Sequence, residues 1–308
     1  MRKLLIPSAL LLSLALMAAL LAPAALGDDG APVAENLELA TYRGVSVGGQ
    51  LRATDPEGGA VTFEITTPPT KGEIDLAEDG RFVYTPESGR RGRDYFGYRA
   101  VDVDGNRSQE ATVIIKIQKQ KATFEYSDTA GEDSAYAAVL LAEEGLFTGS
   151  CLAGSYLFEP DRAVSREEFL IMCVRLSGLP VLSGAVTTGF VDNDEIEVWA
   201  RPYVGAALRS GVISGQADET GTAVFAPDRA ITPVEAAVIL DRAIGLTDAV
   251  PTWYAFDGDA VPAWAEQSAA NVVSCGLLPA GVSYSDATLS RGAAAQMLVA
   301  AMDVLARR

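Results

Sequence analysis

The sequence predicts a multidomain chain, an all-β sandwich followed by an all-α domain built from three copies of one helical hairpin. Three observations predict it. Residues from about 31 to 119 alternate apolar and polar side chains, the period of a half-buried strand. From about residue 122 the apolar residues recur at helical spacing instead. And the string FEPDRAVSREEFLIMCVRLSGL, from Phe158 to Leu179, is rewritten as FAPDRAITPVEAAVILDRAIGL from Phe225 to Leu246, with nine of twenty-two positions identical.

The chain opens on a cationic Met1-Arg2-Lys3, runs through an almost wholly apolar stretch from Leu4 to Leu21, and reaches APAALGDDG. That is the layout of a secretory signal peptide over residues 1–27. The apolar run is also long enough to serve as an uncleaved membrane anchor, which stands as the alternative. With cleavage, the expectation is an exported protein with no membrane association. Formal net charge is −17, or −19 once Arg2 and Lys3 leave with the leader, since residues 1–27 hold no acidic side chain. So acidic a chain is not expected to bind nucleic acid, which needs clustered Lys and Arg. Any anionic ligand has to be met by local cations, because residues 122–308 hold ten basic against twenty-five acidic residues.

Residues 28–119 form the predicted sandwich. AVTFEIT, GRFVYTP, DYFGYRAVD and EATVIIKI read as strands, and DPEGG, TPPTKG, AEDG, ESGRRG and DVDGN as the turns between them. The run GRFVYTPESGRRGRDYFGYRAVDVDGNRSQEATVIIKI resembles bacterial immunoglobulin-like and cadherin-like modules, without the Cys and Trp core of antibody domains. Its binding partner is not legible. Asp102, Asp104 and Asn106, with Asp55 and Glu57, are hard oxygen ligands at turns and are the candidates for Ca²⁺, the one cofactor considered. The competing reading is that Asp and Asn before Gly simply make the turns.

The helical half repeats at about 66 residues: Gly145, Gly211 and Gly276 each close a helix and are followed by two apolar residues. The units are predicted at 120–180, 181–247 and 248–308. A period of this size marks a hairpin that buries its apolar face only against its siblings. Each unit opens with Phe and a nearby Asp (Asp128, Asp192, Asp257), expected to order the turn before a first helix. The second and third first helices are headed by Trp199 and Trp264. A Phe-x-Pro loop leads to the second helix, which starts with a capping box, Ser165 with Glu168 and Thr232 with Glu235. Cys151, Cys173 and Cys275 are too few and too far apart for a disulfide framework, although a Cys151–Cys173 bridge stays open, and Cys173 falls on an apolar helix face. Histidine is absent, which removes Ser-His-Asp and Cys-His catalysis and the usual zinc sites.

The order FVDNDEIEVWARPYVGAALRSGVISG…FAPDRAITPVEA, with FEPDRAVSREEF before it and FDGDAVPAWAEQSAANVVSCGLL…LSRGAA after it, resembles the S-layer homology (SLH) domain in three tandem copies. The resemblance implies a pseudo-threefold helical assembly that binds secondary cell-wall polysaccharide, often through pyruvylated sugars. It also implies a secreted protein of the cell surface, wall or S-layer. The family's motif Arg falls on Arg166 and Arg291, its Trp on Trp199 and Trp264, and its loop Gly on Gly215, so these five are the expected ligand residues. An Arg at a helix start offers a carboxylate a planar donor fork beside free N–H groups. For the two Trp residues, packing between repeats is the competing role. The pattern departs at Pro233, which holds the Arg place of the second copy, at Ala293, which replaces the capping Glu of the third, and at Asp133, which stands at the first copy's Trp place. The grooves are therefore expected to differ.

The sequence favours a wall-anchored binding protein displaying a β-module. A lattice-forming S-layer subunit or an adhesin is the alternative. No acidic pair sits in a recognisable catalytic setting, so an enzyme is not expected.

Overall fold

The computed structural model describes residues 30–122, 124–181, 184, 187–217, 221–249, 256 and 261–308. The expected leader and Asp257 lie outside these residues. Two compact units are present: one gathers Leu140–Ser150 and the described residues of Phe158–Arg308, the other the described residues up to Val139 together with Cys151–Leu157.

In the β unit, β2 (Leu37–Tyr42), β5 (Thr62–Thr67), β8 (Gly92–Val101) and β9 (Ala111–Gln118) form a sheet in the order β2-β9-β8-β5. A second sheet holds β3 (Val47–Gln50), β6 (Gly72–Leu76) and β7 (Arg81–Pro86) in the order β3-β7-β6, and β1 (Val33–Ala34) pairs with β4 (Ala53–Thr54). The strict alternation of β9 sends Ala111, Val113, Ile115 and Ile117 to one buried face, where they meet Phe82, Tyr84, Phe96 and Tyr98. All four strands expected from sequence are present. The parallel pairing of β2 with β9 was not legible, because it joins residues about 76 apart, as in the bond from the Thr112 N–H to Asn36 Oδ1.

Two buried carboxylates in this unit, Asp94 and Asp102, are paired. Asp94 is 1% exposed and accepts from the Thr70 and Lys71 N–H groups and from the Tyr84 hydroxyl. Burial works against its charge, but those donors outweigh it and hold the carboxyl below its ordinary range. Asp102 accepts from the Asp104 and Asn106 N–H groups through Oδ1 and from the Asn106 amide through Oδ2. Both carboxylate oxygens of the candidate Ca²⁺ turn are thus engaged in making the turn, as are Asp55 and the Glu57 N–H in theirs. Among the described residues, no group of three or more His, Cys, Asp or Glu could hold a metal ion. Asp128 lies half-buried in the turn after Tyr126.

Helices are α1 (Ala135–Glu143), α2 (Arg166–Ser177), α3 (Arg201–Arg209), α4 (Pro233–Ile244), α5 (Glu266–Ser274) and α6 (Arg291–Ala306). Two small hairpins, β10 (Ser150–Leu152) with β11 (Ser155–Leu157) and β12 (Gln216–Ala217) with β13 (Ala223–Val224), interrupt the expected all-α pattern. Both predicted capping boxes form: Ser165 Oγ accepts from the Glu168 N–H while Glu168 accepts from the Ser165 N–H, and Thr232 and Glu235 do the same. Gly178 and Gly245 close α2 and α4 in the left-handed conformation. Within the helical unit α2 packs against α3, α4 and α6, and α4 against α5.

The residues just before α2, α4 and α6 meet at the centre. The Val164 N–H donates to Leu289 O at 3.0 Å, the Leu289 N–H to Ile231 O at 2.8 Å and the Ile231 N–H to Val164 O at 3.1 Å, a closed ring of three backbone bonds. All three side chains are at most 1% exposed. Outside the ring, the first helical N–H of α2 (Arg166) donates to Arg229 O and that of α6 (Arg291) to Arg162 O, at 2.9 and 2.8 Å. The equivalent position of α4 is Pro233, which has no N–H to donate.

All three cysteines are free thiols: Cys173 is buried in α2, where burial pushes its pKa up, Cys151 is exposed and Cys275 is intermediate. No helix among the described residues is long and apolar enough to cross a membrane.

Candidate functional site

A cavity of about 430 Å³ opens in the helical unit. Val212, Ile213, Val238 and Ile239 give it an apolar lining, and Ser214, Gly215, Gln216, Arg166, Glu235, Arg242 and Trp264 complete it. Three of the five expected ligand residues, Arg166, Gly215 and Trp264, therefore converge here although they fall in three different predicted repeats.

Each is placed for a local reason. Gly215 has φ +82°, and a Cβ there would lie 2.5 Å from the Phe190 ring, so only glycine lets the chain here close on the ring. Trp264 precedes α5 and is 59% exposed, and Trp199 ahead of α3 is 56% exposed. A packing role predicts burial; both indoles instead face solvent.

The two motif arginines behave in the opposite way. Arg166 is 5% exposed, donates from Nε to Phe225 O at 3.0 Å, lies 3.6 Å from Glu235 Oε1 and sits over the Phe225 ring. Burial draws its pKa below the ordinary value, countered by the charge of Glu235. Arg291 is 2% exposed and donates from Nη1 to Phe158 O at 2.8 Å and to Glu159 at 3.0 Å, and from Nη2 to Glu168 at 3.3 Å, over the Phe147 ring. Neither presents the free fork at a helix start that the resemblance implies. The reason is the capping Glu of the neighbouring repeat: one oxygen caps its own helix, and the other takes the incoming guanidinium. Glu235 also accepts from Arg229 at 2.6 Å and from Gln216. Burial opposes its ionisation, yet the Arg229 and Thr232 bonds and the Arg166 charge hold its carboxyl below the usual range. The bond from Arg291 likewise lowers the pKa of Glu159.

This arrangement explains two departures that the sequence presents separately. Arg166 of the first repeat pairs with Glu235 of the second, and Arg291 of the third pairs with Glu168 of the first. The remaining pair by the same spacing is Pro233 with Ala293, so both partners are missing together. Removing one member of a buried pair leaves an uncompensated charge and costs about 3–5 kcal/mol, whereas removing both is close to neutral.

Asp192 does more than order its own turn. Its carboxylate accepts from the Phe225 and Ala226 N–H groups, the closest contact 2.6 Å, and so fixes the Phe-x-Pro loop 33 residues away. Ala226 and its counterpart Glu159 have φ of +55° and +56°. Non-glycine residues hold that conformation only where the surroundings enforce it. Asp133, at the first copy's Trp place, accepts the Gly48 N–H with its carbonyl at 2.9 Å. A side chain at 48 would collide with its Cβ.

Arg242 and Gln216 were not singled out from sequence. A signal for Arg242 existed: it is one of the nine positions shared by the two repeated strings, matching Arg175.

Residues 25–119 match the family model of the bacterial cadherin-like domain, and residues 192–236 that of the S-layer homology domain. The first covers the β-rich region and the second part of the helical region. Neither model is that of an enzyme family. A surface-layer 125 kDa protein of Lysinibacillus sphaericus is 27% identical over 152 residues, 47% of this chain and 12% of that protein, so the match spans a small part of the relative's length. Among solved structures, an endo-fucoidan hydrolase of glycoside hydrolase family 107 is 20% identical over 30% of this chain and 14% of its own, with a TM-score of 0.25. A variant of the SrpA adhesin of Streptococcus sanguinis is 19% identical over 33% and 68%, with a TM-score of 0.23. At such TM-scores these structural likenesses carry no weight for fold or function.

Proposed function

Because the chain carries a bacterial cadherin-like domain and an S-layer homology domain, we propose that its helical unit holds it non-covalently to the cell wall by binding a secondary cell-wall polysaccharide, in the pyruvylated form, while the β-sandwich is displayed. The chain is a secreted, cell-surface, wall-associated protein. In this reading the repeats 120–180, 181–247 and 248–308 form a pseudo-threefold assembly. The ring of backbone bonds through Val164, Ile231 and Leu289 supports it, because each of the three stands two residues before the start of its helix, α2, α4 or α6, and each donates once and accepts once.

The observation that carries the proposal is the exposed Trp264 indole on the cavity of Gly215, Gln216 and the buried Arg166–Glu235 pair. An indole face covers the apolar side of a sugar ring, and polar groups beside it fix the ring's orientation. The frame of Arg291 and Glu168, with Trp199 by spacing, is the second candidate groove. The frame of Pro233 and Ala293 lacks the ion pair and is not expected to bind.

Sedimentation with purified walls tests the proposal. The full chain should pellet with walls, soluble wall polysaccharide should release it, and Trp264→Ala should weaken retention by about tenfold or more. Retention equal to wild type in the Trp264→Ala, Trp199→Ala double variant would overturn it. A regular sheet of pure protein under the electron microscope would favour a lattice subunit instead.

A further inference from the structure

We infer that Arg242, not the motif arginine Arg166, supplies the anion contact in the cavity, and that this one frame of the three selects a glycan bearing a carboxylate; the inference rests on the cavity being the wall-polymer site. A guanidinium has five N–H donors in a rigid fork. Those of Arg166 are buried against Phe225 O and Glu235, and its charge is matched by that carboxylate. Arg242, on the last turn of α4, lines the same cavity and is exposed. Among the described residues, no hydrogen bond or ion pair involves it. Of the charged groups lining the cavity, Arg166 and Glu235 offset one another and Arg242 remains, a local excess of positive charge in a chain of net charge −17. The exposed Trp264 lines the same cavity. A carboxylate meeting Arg242 with its sugar ring on the indole would use both groups without disturbing any bond the fold already makes.

The same helix position in the other repeats does not offer this. Arg175, in α2, donates to Gly145 O and Leu146 O at 3.5 and 3.4 Å and lies 5.3 Å from the Tyr203 ring centre. The difference traces to the fourth residue after each Trp. Tyr203 supplies a ring for Arg175. Its counterpart Ser268 instead bonds its hydroxyl to Asp241 at 2.7 Å and leaves Arg242 no ring. In α6 the place falls to Ala300.

Calorimetry on the full chain with purified wall polysaccharide, before and after chemical reduction of its carboxyl groups to alcohols, tests this. Arg242→Gln should weaken binding of the intact polymer by about 10- to 100-fold. It should bind the reduced polymer as wild type does, and Arg242→Lys should recover part of the loss. Because Arg242 makes no hydrogen bond or ion pair among the described residues, the thermal midpoint should not move. Arg242→Gln binding the intact polymer as wild type, while Trp264→Ala loses it, would overturn the role of Arg242 and leave the wall-binding cavity standing. Equal losses on intact and reduced polymer would overturn the carboxylate. If neither variant changes binding, the cavity itself is not the site and both readings fall.

Discussion

Replacing Glu167 with Gln should stabilise the helical unit above neutral pH and flatten its dependence on pH. Glu167 follows Arg166 in the first turn of α2, is 8% exposed, and has a buried Oε2 without a hydrogen-bond partner among the described residues. Its own N–H donates to Pro227 O at 3.0 Å. Burial raises its pKa from 4.5 to about 7; a backbone bond with Glu197 works against this, and the charges of Asp228, Glu197 and Glu168 add to it. A carboxyl whose folded pKa lies above its unfolded one contributes stability that is fully present below the unfolded value and is lost as pH rises through the folded value. The gap from 4.5 to about 7, at about 1.4 kcal/mol per pH unit, amounts to about 3 kcal/mol lost by about pH 8. For a unit of this size that is a fall of about 6–12 °C in thermal midpoint. Helical circular dichroism during heating, from about pH 4.5 to about pH 8.5, would show it. The Gln variant should keep only a shallow slope, to which half-buried Asp303, whose pKa is also raised, contributes with the same sign. A variant with the wild-type slope, or one less stable than wild type at about pH 8, would refute the account of Glu167 as a buried carboxyl with one oxygen left without a donor among the described residues.

Arg291→Met should cost about 3–5 kcal/mol in denaturant unfolding, because it strands Glu168 and Phe158 O, and adding Glu168→Gln should cost less than the sum of the two single changes. Gly215→Ala should lower the thermal midpoint with no ligand present, since its φ is +82° and the new methyl group meets Phe190. Ser165→Ala should cost about 1 kcal/mol through loss of the α2 cap, and Ser165→Thr should restore most of it.

Features that need only neighbours in sequence were legible. A capping box joins residues three apart, so Ser165 with Glu168 and Thr232 with Glu235 could be read directly. Alternation along Ala111–Gln118 likewise announced a strand with one buried face. The candidate site was legible by residue type: Arg166, Gly215 and Trp264 do line one cavity. Their roles were not, because the same letters serve a surface fork or a buried ion pair, and the choice depends on partners far away in the chain.

By itself the sequence determined that a helical string is written twice, how α2 and α4 are capped at their starts, and that a β-module precedes them, since dihedral preference, capping and side-chain period are local properties. Only the tertiary structure decided that Arg291 points inward to Glu168, 123 residues away, that Pro233 and Ala293 are two halves of one missing pair, and that Arg242 is left facing the cavity while Arg175 is not. Which charges are paired is a matter of distance in space, and a buried charge accepts no arrangement that leaves it alone.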